Sequence, residues 1–198
     1  MSGEFMHEYS INKNRNRTLY FLVIFSVFIS SFLVKLINHI PWQFVKIPIT
    51  TSLIFGILFW LFDKFLWKWI SKYEGTPDLS GTWTGVLMSS YDHYEVKYPA
   101  NLVITQHWTK ICIKGNFNTT LSKSSIASIK TDEANTQLFY AYSNDGDKGS
   151  GLDVHNGYTT LYYDSVAQTL KGEYFNNRSI GGRHNNGKLI LKREGDLT

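Results

Sequence analysis

The sequence predicts an all-β domain carried on a membrane anchor. Three observations predict it. Thr18 to Val34 carries no charge, and Lys35 is the first interruption before Ile40. A second apolar run covers Ile47 to Phe62, with Trp42 and Phe44 ahead of it. After Glu74 the chain changes to short segments of alternating hydrophobicity split by Gly, Asn and Asp, the period of half-buried strands.

The ends come first. Met1-Ser2-Gly3-Glu4-Phe5 reads as a cloning scar before a native start at Met6, and residues 1–17 read as a tail. The anchor is then a two-helix transmembrane hairpin over residues 18–70. Crossing a hydrocarbon core takes roughly 20 apolar residues. Leu19 to Ile40 meets that, with Lys35 near enough to one end to snorkel. The second span reads as Phe44 to about Leu66, with Pro48 in its first turn and Asn38-His39-Ile40-Pro41 as the connection. A cleavable signal peptide fits poorly, because the apolar run is too long and a second span follows at once.

Charge sets the expected orientation. Lys13, Arg15 and Arg17 precede the first span, and Lys64, Lys68 and Lys72 follow the second. The turn offers only His39 and Lys46. The positive-inside rule therefore puts both termini and the β-domain in the cytoplasm. Trp60, Trp67, Trp69 and Tyr73 read as an interfacial belt, and Asp63 as a hydrated residue at the same end.

Composition narrows the function classes. Residues 1–74 hold eight Lys/Arg against four Asp/Glu, while residues 75–198 hold twelve of each. The sequence pI of about 9.0 thus reflects membrane flanks, and no long nucleic acid is expected as a partner. Cys112 is the single cysteine, so no intrachain disulfide forms. The glycosylation triplets at Asn118 and Asn177 are frequent by chance in an Asn-rich chain and carry no weight.

Residues 71–79 read as a linker and 80–194 as the β-domain. Its expected strands are Gly81–Ser89, Ala100–Trp108, Lys110–Asn118, Ser124–Lys130, Thr136–Ser143, Tyr158–Ser165, Thr169–Asn176 and Gly187–Arg193. Eight short antiparallel strands predict an up-and-down barrel, wide enough for side chains or one small ligand. Parity groups Leu102, Ile104, Gln106 and Trp108; Ile111, Ile113 and Phe117; and Leu138, Tyr140 and Tyr142. It also groups Leu170, Gly172, Tyr174 and Asn176, with Arg178 beyond if the strand runs on, and Leu189, Leu191 and Arg193. These faces turn polar and aromatic along the strands, which suits a polar planar ligand.

Gly81-Thr82-Trp83 looks like the Gly-x-Trp of lipocalins. In those, the Trp plugs the closed end and a basic residue of the last strand packs over it, here Lys192 or Arg193. Trp83 is therefore read as structural. Asn176 to Gly187 gathers two arginines, a histidine and four asparagines, a composition suited to gripping phosphate, although a solvated loop is the plainer reading. Asp145 to Asp153 resembles a calcium loop but has Ser150 and Asn156 where Gly and Glu belong. His93, His107, His155 and His184 lack metal spacing. No catalytic motif rises above chance, so the expectation is a non-enzyme with no metal and no cofactor.

Two membrane helices, a basic linker and Leu79-Ser80-Gly81-Thr82-Trp83-Thr84-Gly85 open the pattern; Leu170-Lys171-Gly172-Glu173-Tyr174-Phe175, Arg178 and Gly187-Lys188-Leu189-Ile190-Leu191-Lys192-Arg193 close it. This arrangement resembles the two-transmembrane, β-strand-rich effectors of bacterial cyclic-oligonucleotide anti-phage signalling (CBASS type). The resemblance implies a multi-pass protein of the bacterial inner membrane. It implies a cyclic dinucleotide made by a partner nucleotidyltransferase, homo-oligomerisation through the helices, membrane breach and death of the infected cell. In that frame Arg178 pairs a phosphate, Tyr140, Tyr142 or Tyr174 stacks a base, and Gln106 or Asn176 reads a base edge. The alternatives are a membrane-tethered, lipocalin-like carrier of an apolar ligand and a plain membrane scaffold.

Overall fold

The computed structural model describes residues 5–38, 50–117, 120–132, 135–145, 155–180 and 183–195. Within them, the side chains of 37, 38, 72, 74, 120, 145, 155, 178–180, 183 and 184 are not described. The chain forms two units: residues 13–76, and residues 1–12 together with 77–198.

The helical unit begins with α1, Asn16–Asn38, of 23 residues. At 1.5 Å per residue it is about 34 Å long, enough to cross a hydrocarbon core. It is the one described helix with the length and apolarity of a membrane span. Next come α2 (Thr51–Leu61), a π-helical turn (Phe62–Leu66) and α3 (Trp67–Glu74), which run on without a break. The described part of the second helix starts at Thr51 because Thr50 caps it, accepting the Leu53 N–H. The expected start at Phe44, Pro48 and the turn around His39 lie outside the described residues. Ser30 Oγ and Thr51 Oγ1 join α1 to α2 at 3.0 Å. Asp63 sits in the π-helical turn. Of the expected belt, Trp60, Trp69 and Tyr73 are exposed, but Trp67 is buried. Gly75 ends α3 with φ +79°, a left-handed cap that costs a glycine little.

The other unit is the expected barrel. Its strands are β2 (Gly81–Ser89), β3 (Tyr98–Gln106), β4 (Lys110–Phe117), β5 (Thr120–Thr131), β6 (Thr136–Asp145), β7 (His155–Asp164), β8 (Thr169–Ile180) and β9 (Arg183–Arg193). Each pairs antiparallel with the next, and β9 pairs with β2, closing the sheet. Closure removes free edges. The hydrophobic core lies inside and includes Leu102, Ile104, Ile113, Leu138, Leu161, Leu170, Leu189 and Leu191.

There is also a ninth strand. Residues His7–Ile11, read above as part of a tail, form β1. It wedges between β4 and β5, antiparallel to the first and parallel to the second. β4 and β5 pair directly only from Lys114–Phe117 to Thr120–Lys123. Where they splay, Ser124 Oγ accepts the Ile113 N–H at 2.9 Å and bonds His7 Nε2 at 2.7 Å. Tyr9 enters the core, and Ile11 packs against it. The strand forms because His7, Tyr9 and Ile11 alternate with Glu8 and Ser10, which gives one face to bury.

Candidate functional site

The barrel interior has two unlike ends. Odd and even strands run in opposite directions, so the start of β2 lies level with the end of β3 and the end of β9. Trp83 marks this closed end. Its Nε1 donates to the Leu79 carbonyl at 3.0 Å, Tyr163 meets it edge-on, and the Arg193 guanidinium lies 4.6 Å from its ring centroid. The lipocalin-like plug is present, with Arg193 as its basic partner.

Gln106 belongs to this closed end too. Its Oε1 accepts the Leu79 N–H at 2.8 Å. Its Nε2 donates to Tyr9 Oη and to the Pro77 carbonyl, both at 3.1 Å. Gln106 is 2% exposed, and its amide is fully engaged. It is therefore not placed with the other candidate ligand residues. The sequence face was right, but β3 runs toward the closed end, so its last residue lies far from the mouth.

Of the remaining candidates, Tyr140, Tyr142, Tyr174 and Asn176 share neighbouring rows of the wall. Cross-strand register sets Ala127, Tyr140, Thr159, Tyr174, Gly187 and Ser89 in one ring of neighbours around the wall. Ser124, Tyr142, Gly157 and Asn176 make the next row toward the mouth. Tyr140 and Tyr142 lie 6.1 Å apart, ring to ring. Glycines make room for the rings. A Cβ at Gly157 would overlap the Tyr142 ring, one at Gly187 the Tyr174 ring, and one at Gly115 the Phe117 ring. Three aromatic rings thus lie against bare backbone at this end of the barrel.

Electrostatics here are those of neutral donors. Burial pushes the Tyr140 phenol up to about 12, against the opposing effect of a hydrogen bond to Thr159. Burial raises Tyr142 as well, helped by Tyr140 and Tyr174, while its hydrogen bond to Asn176 opposes the rise. Tyr174 is raised by burial, with a hydrogen bond to Ser89 acting the other way. At cellular pH all three are uncharged O–H groups that can donate to an anion.

Sequence reasoning missed several residues at the mouth. Asn144 is 4% exposed, and its Oδ1 has no hydrogen-bond partner among the described residues. It follows Tyr142 on the same face of β6, and it was missed because that strand was expected to stop at Ser143. Ser89 Oγ donates to Asn185 Oδ1 at 2.9 Å, and Ser90 Oγ accepts the Asn186 N–H at 3.2 Å, which ties β2 to β9 at the rim. Arg178 lies in β8, which does run on to Ile180. A register irregularity lies between Phe175 and Ser179, and the Arg178 side chain is not among those described. The calcium-like loop and the side chains of Arg183 and His184 also lie outside the described residues. Among the described residues no three His, Cys, Asp or Glu cluster as metal ligands.

Two descriptions of known families match the chain. Residues 74–193 match "Cap15, cyclic dinucleotide receptor domain", and residues 16–68 match "Cap15, TM helices". A search of curated proteins returned no match. The receptor match covers more than half of the chain and takes in every strand from β2 to β9. An anchor of apolar helix, a closed barrel and a receptor match in one chain agree, and the chain belongs to the Cap15 family, as a membrane-associated CBASS effector with a cyclic dinucleotide receptor domain.

Proposed function

We propose that the mouth end of the barrel binds the cyclic dinucleotide and that binding drives the helices to associate. The membrane breach that follows kills the infected cell. The observation that carries this reading is the cluster of three buried, protonated tyrosines, with Asn144 two residues beyond Tyr142 on β6 and its amide oxygen without a partner among the described residues. A cyclic dinucleotide presents two phosphates and two bases. Phenol O–H groups donate to phosphate oxygens, and tyrosine rings offer stacking surface. In this reading Asn144 Oδ1 accepts a base N–H, the task expected above of Gln106 or Asn176. Asn176 and Arg178 complete the set, with Arg178 as the phosphate fork. A ligand shifts an equilibrium only through differential affinity, so the bound barrel must favour the associated form.

In this reading the messenger comes from a partner nucleotidyltransferase, and the barrel is cytoplasmic at the bacterial inner membrane. Orientation rests on six flanking Lys/Arg against Lys46 alone in the connection. Cysteine labelling tests it cleanly because Cys112 is buried. A membrane-impermeant reagent added to intact cells should reach Asn38→Cys and miss Ser150→Cys, and the reverse pattern would overturn the orientation.

Binding is tested by calorimetry on the full chain in nanodiscs, since a fragment starting at residue 75 would lack β1. At least one of cyclic di-GMP, cyclic di-AMP and cyclic GMP–AMP should bind. Arg178→Ala should weaken it roughly 10–100-fold, the value of a lost charge-assisted hydrogen bond. If the parent binds none of the three, the apolar-carrier reading takes over.

A further inference from the structure

The chain passes between its two units twice, at Asn12–Lys13 and at Thr76–Pro77. Both crossings start from the closed end of the barrel. The first leaves β1, whose last residue, Ile11, pairs with Ile129 in β5. The second enters through Pro77, Asp78 and Leu79, just before β2. In chain order the helical unit therefore lies between β1 and β2 and joins the other unit at both of its ends.

Three side chains, two of them buried, hold the second crossing by its backbone. Gln106 Nε2 donates to the Pro77 carbonyl, Arg193 Nη2 to the Asp78 carbonyl at 2.6 Å, and Trp83 Nε1 to the Leu79 carbonyl. Gln106 also takes the Leu79 N–H. The first crossing is held at Tyr9, whose hydroxyl receives the other Gln106 Nε2 proton and reaches the His107 carbonyl at 3.4 Å. One amide thus bridges two chain segments almost 70 residues apart in sequence, each a few residues from a helix. Asn12 secures the first crossing further, exchanging two hydrogen bonds with the Thr131 backbone. β1 lies outside both family matches, so neither accounts for this connection.

We infer that Gln106 couples the sensor to the membrane helices, by tying the two chain crossings into one rigid unit. A change of barrel shape then moves both ends of the helical unit together. Without the bridge each crossing yields separately, and the displacement is lost in the linkers. Gln106 and Tyr9 are positioning residues in this scheme and touch no ligand. The coupling rests on the functional reading above, while the tie between the crossings stands without it.

The test uses the full chain in vesicles of phosphatidylethanolamine and phosphatidylglycerol loaded with a self-quenched dye. Gln106→Leu and Tyr9→Phe are compared with the parent, with cyclic di-GMP, cyclic di-AMP and cyclic GMP–AMP as probes. Both variants should keep the parent's affinity within about twofold and lose about tenfold or more in dye release at equal occupancy. Amide hydrogen exchange reads the tie directly. Gln106→Leu should speed exchange at Leu79 and across β1 together, leaving β6 to β8 unchanged; Tyr9→Phe should speed β1 alone. Parent-like release from both folded variants overturns the coupling. So does lost affinity in both, which would make these residues part of the binding site. Unchanged β1 exchange in Gln106→Leu overturns the tie. Should that variant fail to fold, Tyr9→Phe decides alone. If the parent binds no probe, the functional reading fails and the exchange arm still decides the tie.

Discussion

The two ends of the barrel are made by the same eight strands and do opposite things. At the closed end, polar side chains hold the incoming chain: Gln106 is engaged at both ends of its amide, and Trp83 and Arg193 clasp the backbone, while Arg193 Nε, Thr131 Oγ1 and Thr169 Oγ1 have no hydrogen-bond partner among the described residues. At the mouth, rings rest on glycines, and Asn144 Oδ1 has no hydrogen-bond partner among the described residues. Between them lies an apolar belt of Leu102, Leu138, Leu161 and Leu189. A belt of this kind separates the side chains that hold the chain crossings from the aromatic and amide groups at the mouth. Substitutions at the two ends should therefore separate melting from binding.

The largest effect is expected from Trp83→Ala. The side chain is fully buried, and its removal also deprives Arg193 of its ring and the Leu79 carbonyl of a donor. Large-to-small changes of this kind cost about 3–5 kcal/mol. Chemical denaturation of the full chain should show that loss, with ligand affinity under native conditions little changed. An unchanged midpoint would mean that the closed end is not where stability resides.

Alkaline pH attacks the mouth instead. A phenol with a raised pKa holds its proton more tightly in the folded chain than in the unfolded one. Its contribution is complete below the unfolded value near 10 and is lost as pH rises toward the folded value, about 12 for Tyr140. At about 1.4 kcal/mol per unit, that window removes roughly 2–3 kcal/mol. Absorbance near 295 nm, read alongside near-ultraviolet circular dichroism, should show Tyr140 ionising together with unfolding. Tyr140→Phe should lessen the alkaline loss. If the tyrosines ionise near pH 10 with the fold intact, the mouth is open to solvent and the contrast between the ends weakens.

Much of this was legible in the sequence, and the failures have simple causes. Period-two alternation located β2 to β9, and Gly-x-Trp with a basic last strand located the plug. Parity put Gln106 on the inner face correctly. It did not say at which end, although strand order settles that: β6 and β8 run toward the mouth, while β3 runs away from it. Asn144 was lost to a strand boundary two residues short, a normal error where an edge frays into polar residues. β1 was invisible because five residues with one aromatic do not rise above background, and its partners come from a strand pair that splays to admit it. Only tertiary pairing makes such a strand.

The smallest change in stability should carry the clearest functional result. Asn144→Leu keeps the size and removes a buried amide whose oxygen has no partner among the described residues. An unsatisfied buried acceptor costs about 1–3 kcal/mol, part of it offset by whatever the amide nitrogen contributes. The variant should thus melt at or slightly above the parent, by about 1 kcal/mol at most. It should also bind cyclic dinucleotide roughly tenfold more weakly, because one base-edge hydrogen bond is gone. The two readouts move in opposite directions, which a packing residue would not allow. A variant that melts well below the parent and binds as tightly would make Asn144 part of the fold, and the mouth would then differ from the closed end only in composition.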